Sequence, residues 1–277
     1  MDQKNEMKEF INKITGFEVP TDFVELAIKF ENKFGSKKAA LENLGKYMGY
    51  EWIVDLHVIR GYECVPFEAQ LPFQTGANGE NMGWLEIAPE LENFKKPFIT
   101  WMPLGCEVIY HGNTMNKILE GKVKYLHAQD NFKDIDLIFL NSISIQPKQV
   151  TPIEHSVNYE RTKLKPIPIN EIPNWRYEVT LDGVGIYAEE KFFSPNHMLL
   201  KEYDSTENAI LQIKELNKKE FFASSIWLIK NTISNSYFTE EPFELILNLY
   251  DLAIESYNGL GREQISEVIK NKYKPSR

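Results

Sequence analysis

Apolar positions change their spacing several times along this chain, and the changes mark out its elements. After Val19-Pro20-Thr21-Asp22, the residues Phe23, Leu26, Ala27, Phe30 and Phe34 recur on one face of a helix. Asp22 with Glu25 has the form of a capping box, and Gly35 supplies the stop. The spacing predicts a second helix over 38–48. From Glu51 to Ile59 it changes to alternation, with Trp52, Val54, Leu56 and Val58 on one face of a strand. Residues 61–112 read as sheet: short β-prone stretches around Tyr62, Trp84, Phe98-Ile99-Thr100-Trp101 and Val108-Ile109-Tyr110 are separated by prolines at 66, 72, 89, 97 and 103. A helix over 113–126 and a buried strand over 135–140 follow.

Between Pro147 and Pro173 periodicity fades, and five of the 14 prolines fall in this stretch, as expected of a linker or wrapping segment. Beyond it, Trp175, Tyr177, Val179 and Leu181 alternate, then Asp182-Gly183, then Val184, Ile186 and Ala188. A two-residue Asp-Gly between alternating runs predicts a tight hairpin, because a type I′ turn needs positive φ at both central positions. The remainder reads as helical. Asp204 and Glu207 cap a segment with Ile210, Ile213 and Leu216, and another carries Phe222, Ile226, Ile229 and Ile233. The clearest stripe follows Thr239: Phe243, Ile246, Leu247, Tyr250, Ala253, Ile254 and Tyr257 lie opposite Glu244, Asn248, Asp251 and Glu255. Phe238 and Phe243 are spaced for a hydrophobic staple, Asn258-Gly259 ends the helix, and a last helix runs from Arg262 toward Lys270. The fold class expected is α+β, a mixed or antiparallel sheet flanked by helices with a mainly helical C-terminal part.

Composition narrows the function classes. The chain has 277 residues, 43% hydrophobic and 13% aromatic, enough to build a core without disulfides. Its net charge of −9 argues against a nucleic-acid partner, since phosphate contacts need clustered Lys and Arg. With only Cys64 and Cys106, no apolar run of membrane-spanning length and no signal-peptide core in the opening residues, a soluble cytoplasmic protein without a membrane partner is expected.

Candidate chemistry is sparse. Gly183-Val184-Gly185-Ile186-Tyr187-Ala188 matches a dinucleotide-binding fingerprint, but Glu189-Glu190 and Ser194-Pro195 leave no room for the helix it requires, so the hairpin reading is preferred. His57, His111, His127, His155 and His197 are scattered, so neither a metal nor a cofactor is expected. Cys106 near His111 has the residue types of a thiolate nucleophile and its base, and equally those of a buried thiol. The strongest charge feature spans 51–92, where eight carboxylates face the single Arg60: either solvated faces or a landing surface for a basic protein.

Within that stretch, Pro72-Phe73-Gln74-Thr75-Gly76-Ala77-Asn78-Gly79-Glu80-Asn81-Met82-Gly83-Trp84-Leu85 forms a glycine-rich turn between β-prone segments. Together with the Val19-Pro20 helix start and Gly35, it resembles the SUKH superfamily over roughly residues 16–120. The resemblance implies a sheet flanked by helices, no catalytic residues, and a role in binding, often as a bacterial immunity factor that neutralises a toxin. On this reading residues 1–146 form a SUKH-like domain, 147–173 the Pro-rich segment, and 174–277 a hairpin with helices, which the resemblance leaves unassigned. The leading expectation is a non-enzymatic protein that occludes a basic partner, with Glu80, Glu86, Trp84, Asn78 and Gly79 as partner-binding candidates. The alternatives are a small-molecule enzyme with a site between the two halves, using Cys106, His111 or a carboxylate of the acidic stretch, and a scaffold using its C-terminal aromatic helices.

Overall fold

The computed structural model describes residues 2–15, 18–49, 51–52, 66–74, 80–91, 96–102, 107–128, 136–146, 153–155, 172–200, 205–236 and 243–273. Helices α1 (Gln3–Thr15), α2 (Thr21–Phe34) and α3 (Lys37–Tyr47) precede strands β1 (Glu51–Trp52), β2 (Ala69–Gln74), β3 (Asn81–Leu85), β4 (Phe98–Met102) and β5 (Glu107–Gly112). Helices α4 (Met115–Ala128) and α5 (Leu137–Ser142) lead to β6 (Ile153–His155) and the hairpin β7 (Trp175–Glu178) and β8 (Ile186–Glu189). Helices α6 (Thr206–Lys218), α7 (Phe222–Ser236), α8 (Phe243–Gly259) and α9 (Glu263–Tyr273) complete an α+β fold. The described strands β1 to β6 form an antiparallel meander in chain order. The edge strand β6 comes from within the Pro-rich stretch, most of which lies outside the described residues, as do positions 53–65 of the acidic stretch.

Every residue of β3 is buried, so the sheet is covered on both faces. On one face Phe73, Met82, Trp84 and Phe98 pack with α2 and α4 in a single apolar cluster. Phe23 of α2 meets the Trp84 indole edge-on at 4.9 Å, and Trp84 meets Phe98 at 5.3 Å, contacts worth about 0.5–1.5 kcal/mol each beyond area burial. On the other face Leu71, Leu85, Ile99 and Trp101 pack with Val184 and Tyr187 from beside and within the hairpin. A third cluster joins α6 to α9 with Phe67 and Ile186. Gly83 has a specific reason to be glycine: a Cβ there would run into the Gln70 carbonyl of the neighbouring strand.

Several local expectations are corrected. The stretch expected as a strand over 135–140 is helical from Leu137, because the Asp136 carboxylate accepts from Phe139 N at 2.9 Å and starts α5. Its buried Phe139 then packs edge-on against Phe30 at 5.1 Å, which a short apolar run does not distinguish from strand burial. Asp22 does not cap its own helix; its carboxylate accepts from Met115 N at 2.8 Å and so caps α4, while Gly35 ends α2 in the left-handed region as expected. The cap of α6 is Ser205, whose hydroxyl accepts from Asn208 N at 3.3 Å; Asp204 lies outside the described residues. The hairpin exists, but its loop runs over 179–185 rather than two residues. Thr180 and Asp182 side chains close that loop, and Leu181 N donates to Asn231 of α7 at 2.8 Å, so packing on α7 overrides the tight turn. Gly185, at φ +80°, lies against Tyr177 and Glu178, leaving no space for a side chain. Helix α1, whose Met7 and Ile11 are fully buried, was not among the elements expected.

The α8 stripe is buried at Ile246, Tyr250, Ala253 and Tyr257, but Leu249 and Leu252 are buried too, because α8 packs between α7 and α9 and near α6. The side chain of Phe243 and all of Phe238 lie outside the described residues, and with them the expected staple.

Candidate functional site

A cleft of about 920 Å³ lies between the start of α2, the β2–β4 end of the sheet, the segment Pro89–Leu91, the start of α4 and one face of α9. Its place follows from an ion pair. Arg262, the residue before α9, is fully buried and donates from Nε and Nη2 to the Glu90 carboxylate at 2.6–3.1 Å and from Nη2 to the Tyr187 carbonyl. This fixes α9 against the segment that forms the adjoining wall. Trp84, Phe98, Met115 and Ile118 contribute apolar lining, Leu91 and Val268 half-buried walls, and Glu18, Asp22, Glu86 and Glu267 carboxylates.

Glu86 sits just past β3, with its N–H on the Glu68 carbonyl at 2.9 Å. Its side chain is 14% exposed and paired with Lys96, whose ammonium also donates to the Glu18 carbonyl at 3.0 Å. Burial raises the Glu86 pKa above the ordinary carboxylate value, against the pull of Lys96. Glu18 is held below its ordinary value by its hydrogen bond with Lys8. Gln70, 9% exposed on β2, hydrogen-bonds Glu86, and its Oε1 has no hydrogen-bond partner among the described residues.

Of the five partner-binding candidates, three lie among the described residues, and two of these, Trp84 and Glu86, line the cleft. Glu86 is in the cleft, but as half of an ion pair. Trp84 is 1% exposed: Phe23, Phe73 and Phe98 enclose its ring, and it belongs to the core while reaching the cleft lining. Glu80 lies half-buried on the α4 side, where its charge acts on Lys122. Asn78 and Gly79 lie outside the described residues. Among the described carboxylates of the acidic stretch, Glu68, Glu86 and Glu90 each face an internal cation.

Two histidines are held neutral in structural settings. His111 on β5 has Nε2 2.8 Å from Thr100 Oγ1, and burial together with Lys122 brings its pKa to about 3; burial lowers Lys122 itself to about 8. His197 has Nδ1 2.8 Å from Ser224 Oγ, and burial with nearby Arg176 holds its pKa at about 4. Ser224 is fully buried and already accepts from Ser194 N, so this serine and histidine join α7 to the chain leaving the hairpin instead of facing a substrate. Cys106 and His57 lie outside the described residues, as do the side chains of His127 and His155. Among the described residues no three His, Cys, Asp or Glu side chains converge to hold a metal ion, and no helix is long and apolar enough to cross a membrane.

The densest polar cluster was missed from sequence. Lys230 of α7, 1% exposed, donates to both Glu68 oxygens at 2.8–2.9 Å and to the Gly185 carbonyl at 2.9 Å, and pairs with Asp182 at 3.1 Å. Tyr257 Oη donates to Glu68 at 2.5 Å. Burial opposes the charge on Lys230, but Asp182 and Glu68 outweigh it and raise its pKa; burial, with Glu68 beside it, raises Tyr257 well above the ordinary phenol value. A lysine inside the apolar run Ile226 to Ile233 is the sequence signal that announces a buried partner. Its four side chains are all buried, and the cluster fastens the sheet to the C-terminal helices. No family model matches the chain, and no curated protein matches it.

Proposed function

We propose that this chain is a non-enzymatic, cytoplasmic protein-binding module of the immunity type, and that its cleft receives a basic segment of a protein partner. The observation that carries the reading is the cleft itself: apolar at Trp84, Leu91, Phe98, Met115, Ile118 and Val268 and polar over much of the rest, with four lining carboxylates against one lining cation, Lys96. Apolar area gives such a site its affinity, and complementary charge gives orientation and association rate. The SUKH resemblance, which implies a helix-flanked sheet and a binding role, is in line with this reading. The enzyme alternative receives less: the described lining brings a buried carboxylate, Glu86, but neither histidine nor cysteine. The scaffold alternative receives less again, because the exposed large apolar residues among those described, Ile138, Met198 and Leu211, lie on separate elements.

The test takes a partner recovered by pull-down from the native cells, reconstitutes the purified pair, and maps it by hydrogen exchange. A stoichiometric complex that weakens with salt and protects Pro89–Leu91 and α9 is expected. Protection confined to the outer face of α6 or to α5 would remove the cleft from the binding site.

A further inference from the structure

The cleft holds an internal cation in an incompletely satisfied setting. Lys96 places its ammonium on the Glu86 carboxylate and the Glu18 carbonyl, yet Gln70 Oε1, beside Glu86, keeps no donor among the described residues. An acceptor in a side chain 9% exposed costs free energy until something donates to it. An ammonium is a compact point charge with three donors, whereas a guanidinium spreads five N–H groups over a plane and can satisfy a carboxylate with two of them and neighbouring acceptors with the rest. Half-buried Leu91 and Val268 on the cleft walls suit the aliphatic stem that such a side chain carries.

Building on the binding role proposed above, we propose that the cleft is an arginine site: a guanidinium from a basic protein partner takes the acceptors Glu86, Gln70 Oε1 and the Glu18 carbonyl, displacing Lys96, which occupies the place as an intramolecular stand-in. Lys96 therefore competes with the ligand, and removing it strengthens binding.

The probes are short capped peptides of Gly and Ser bearing one central arginine, lysine or citrulline, titrated against the full chain by calorimetry at low salt. Citrulline has nearly the shape of arginine without its charge and with fewer donors. The arginine peptide is expected to bind the wild-type chain about tenfold or more tighter than the citrulline peptide, and more tightly than the lysine peptide. Lys96→Met should tighten arginine binding by about tenfold, while Glu86→Gln and Gln70→Leu should each weaken it by a similar factor. Equal binding of arginine and citrulline by wild type, a comparison that needs no variant, overturns the proposal, as does a folded Lys96→Met chain with unchanged or weaker affinity. If a basic partner binds the cleft but is indifferent to Glu86→Gln and Lys96→Met, the arginine site fails while the binding role stands. If arginine peptides bind as expected and hydrogen exchange places the partner elsewhere, the failure belongs to the binding role alone.

Discussion

Lys230 and Glu68 stand 162 positions apart in the chain, and their charged groups meet at 2.8 Å with both side chains 1% exposed. Such a pair is weak evidence of net stability, because desolvating both ions offsets most of their attraction, but removing one partner strands the other. Here a single ammonium serves two buried carboxylates, so the asymmetry is greater.

Lys230→Met should therefore lower unfolding free energy by about 3–5 kcal/mol, read as a shift of the urea midpoint or as loss from the soluble fraction. Tyr257→Phe removes one donor from Glu68 and should cost about 1–3 kcal/mol. In the combined Glu68→Gln and Lys230→Met variant, the loss should be smaller than the two single losses added. An unchanged midpoint in Lys230→Met would show that the cluster does not hold the sheet to the helices.

His111 and His197 should contribute to the acid limb of stability. His111 and His197 have folded-state pKa values lowered from 6.5 to about 3 and about 4, so the folded chain binds fewer protons than the unfolded one. Their contribution is fully present above pH 6.5 and is lost as the pH falls through the interval below it. Each histidine adds a slope of up to about 1.4 kcal/mol per pH unit. Urea midpoints at pH 7, 6 and 5 should fall accordingly, and His111→Gln or His197→Gln should flatten the dependence. A slope unaltered in both variants would rule out histidine protonation as its source.

Asp22 links two helices that are distant in sequence. Asp22→Ala should lower stability by about 1 kcal/mol through loss of the α4 cap, whereas Asp22→Asn keeps an accepting oxygen and should retain most of it. Thermal melts of the two variants make the comparison, and equal losses would point to the charge rather than the cap.

Much of the fold was legible where order is local. The α2 stripe with its glycine stop, α4 and the C-terminal helices follow from spacing, since a period repeated over several turns is a strong signal. The strand expected over 135–140 and the tight turn at Asp182-Gly183 misled because tertiary partners decided them: Phe30 and Tyr47 receive α5, and Asn231 and Lys230 hold the hairpin loop. The acidic stretch was legible as a charge feature, and Glu86 as a residue of interest. That Glu68, Glu86 and Glu90 would each meet an internal cation was not, because their partners Lys230, Lys96 and Arg262 include residues more than half the chain away. Gln70 carried no signal at all, as an orphaned oxygen is a property of three-dimensional surroundings.

The order in which the chain leaves the ribosome gives one further consequence to the two-sided sheet. Helices α1 to α3 emerge before the strands, so the face bearing Trp84 and Phe98 finds much of its cover ready. The opposite face, with Leu71, Leu85, Ile99 and Trp101, must wait for Val184 and Tyr187, and Glu68 and Glu90 wait longer still for Lys230 and Arg262. Among the described residues, a nascent chain halted short of the hairpin would lack the hairpin's cover on that face and the cation partners of those carboxylates, the condition in which a partly made domain needs a chaperone or aggregates. Synthesis of this protein thus has a vulnerable interval, and its length is set by the distance along the chain from β2 to α9.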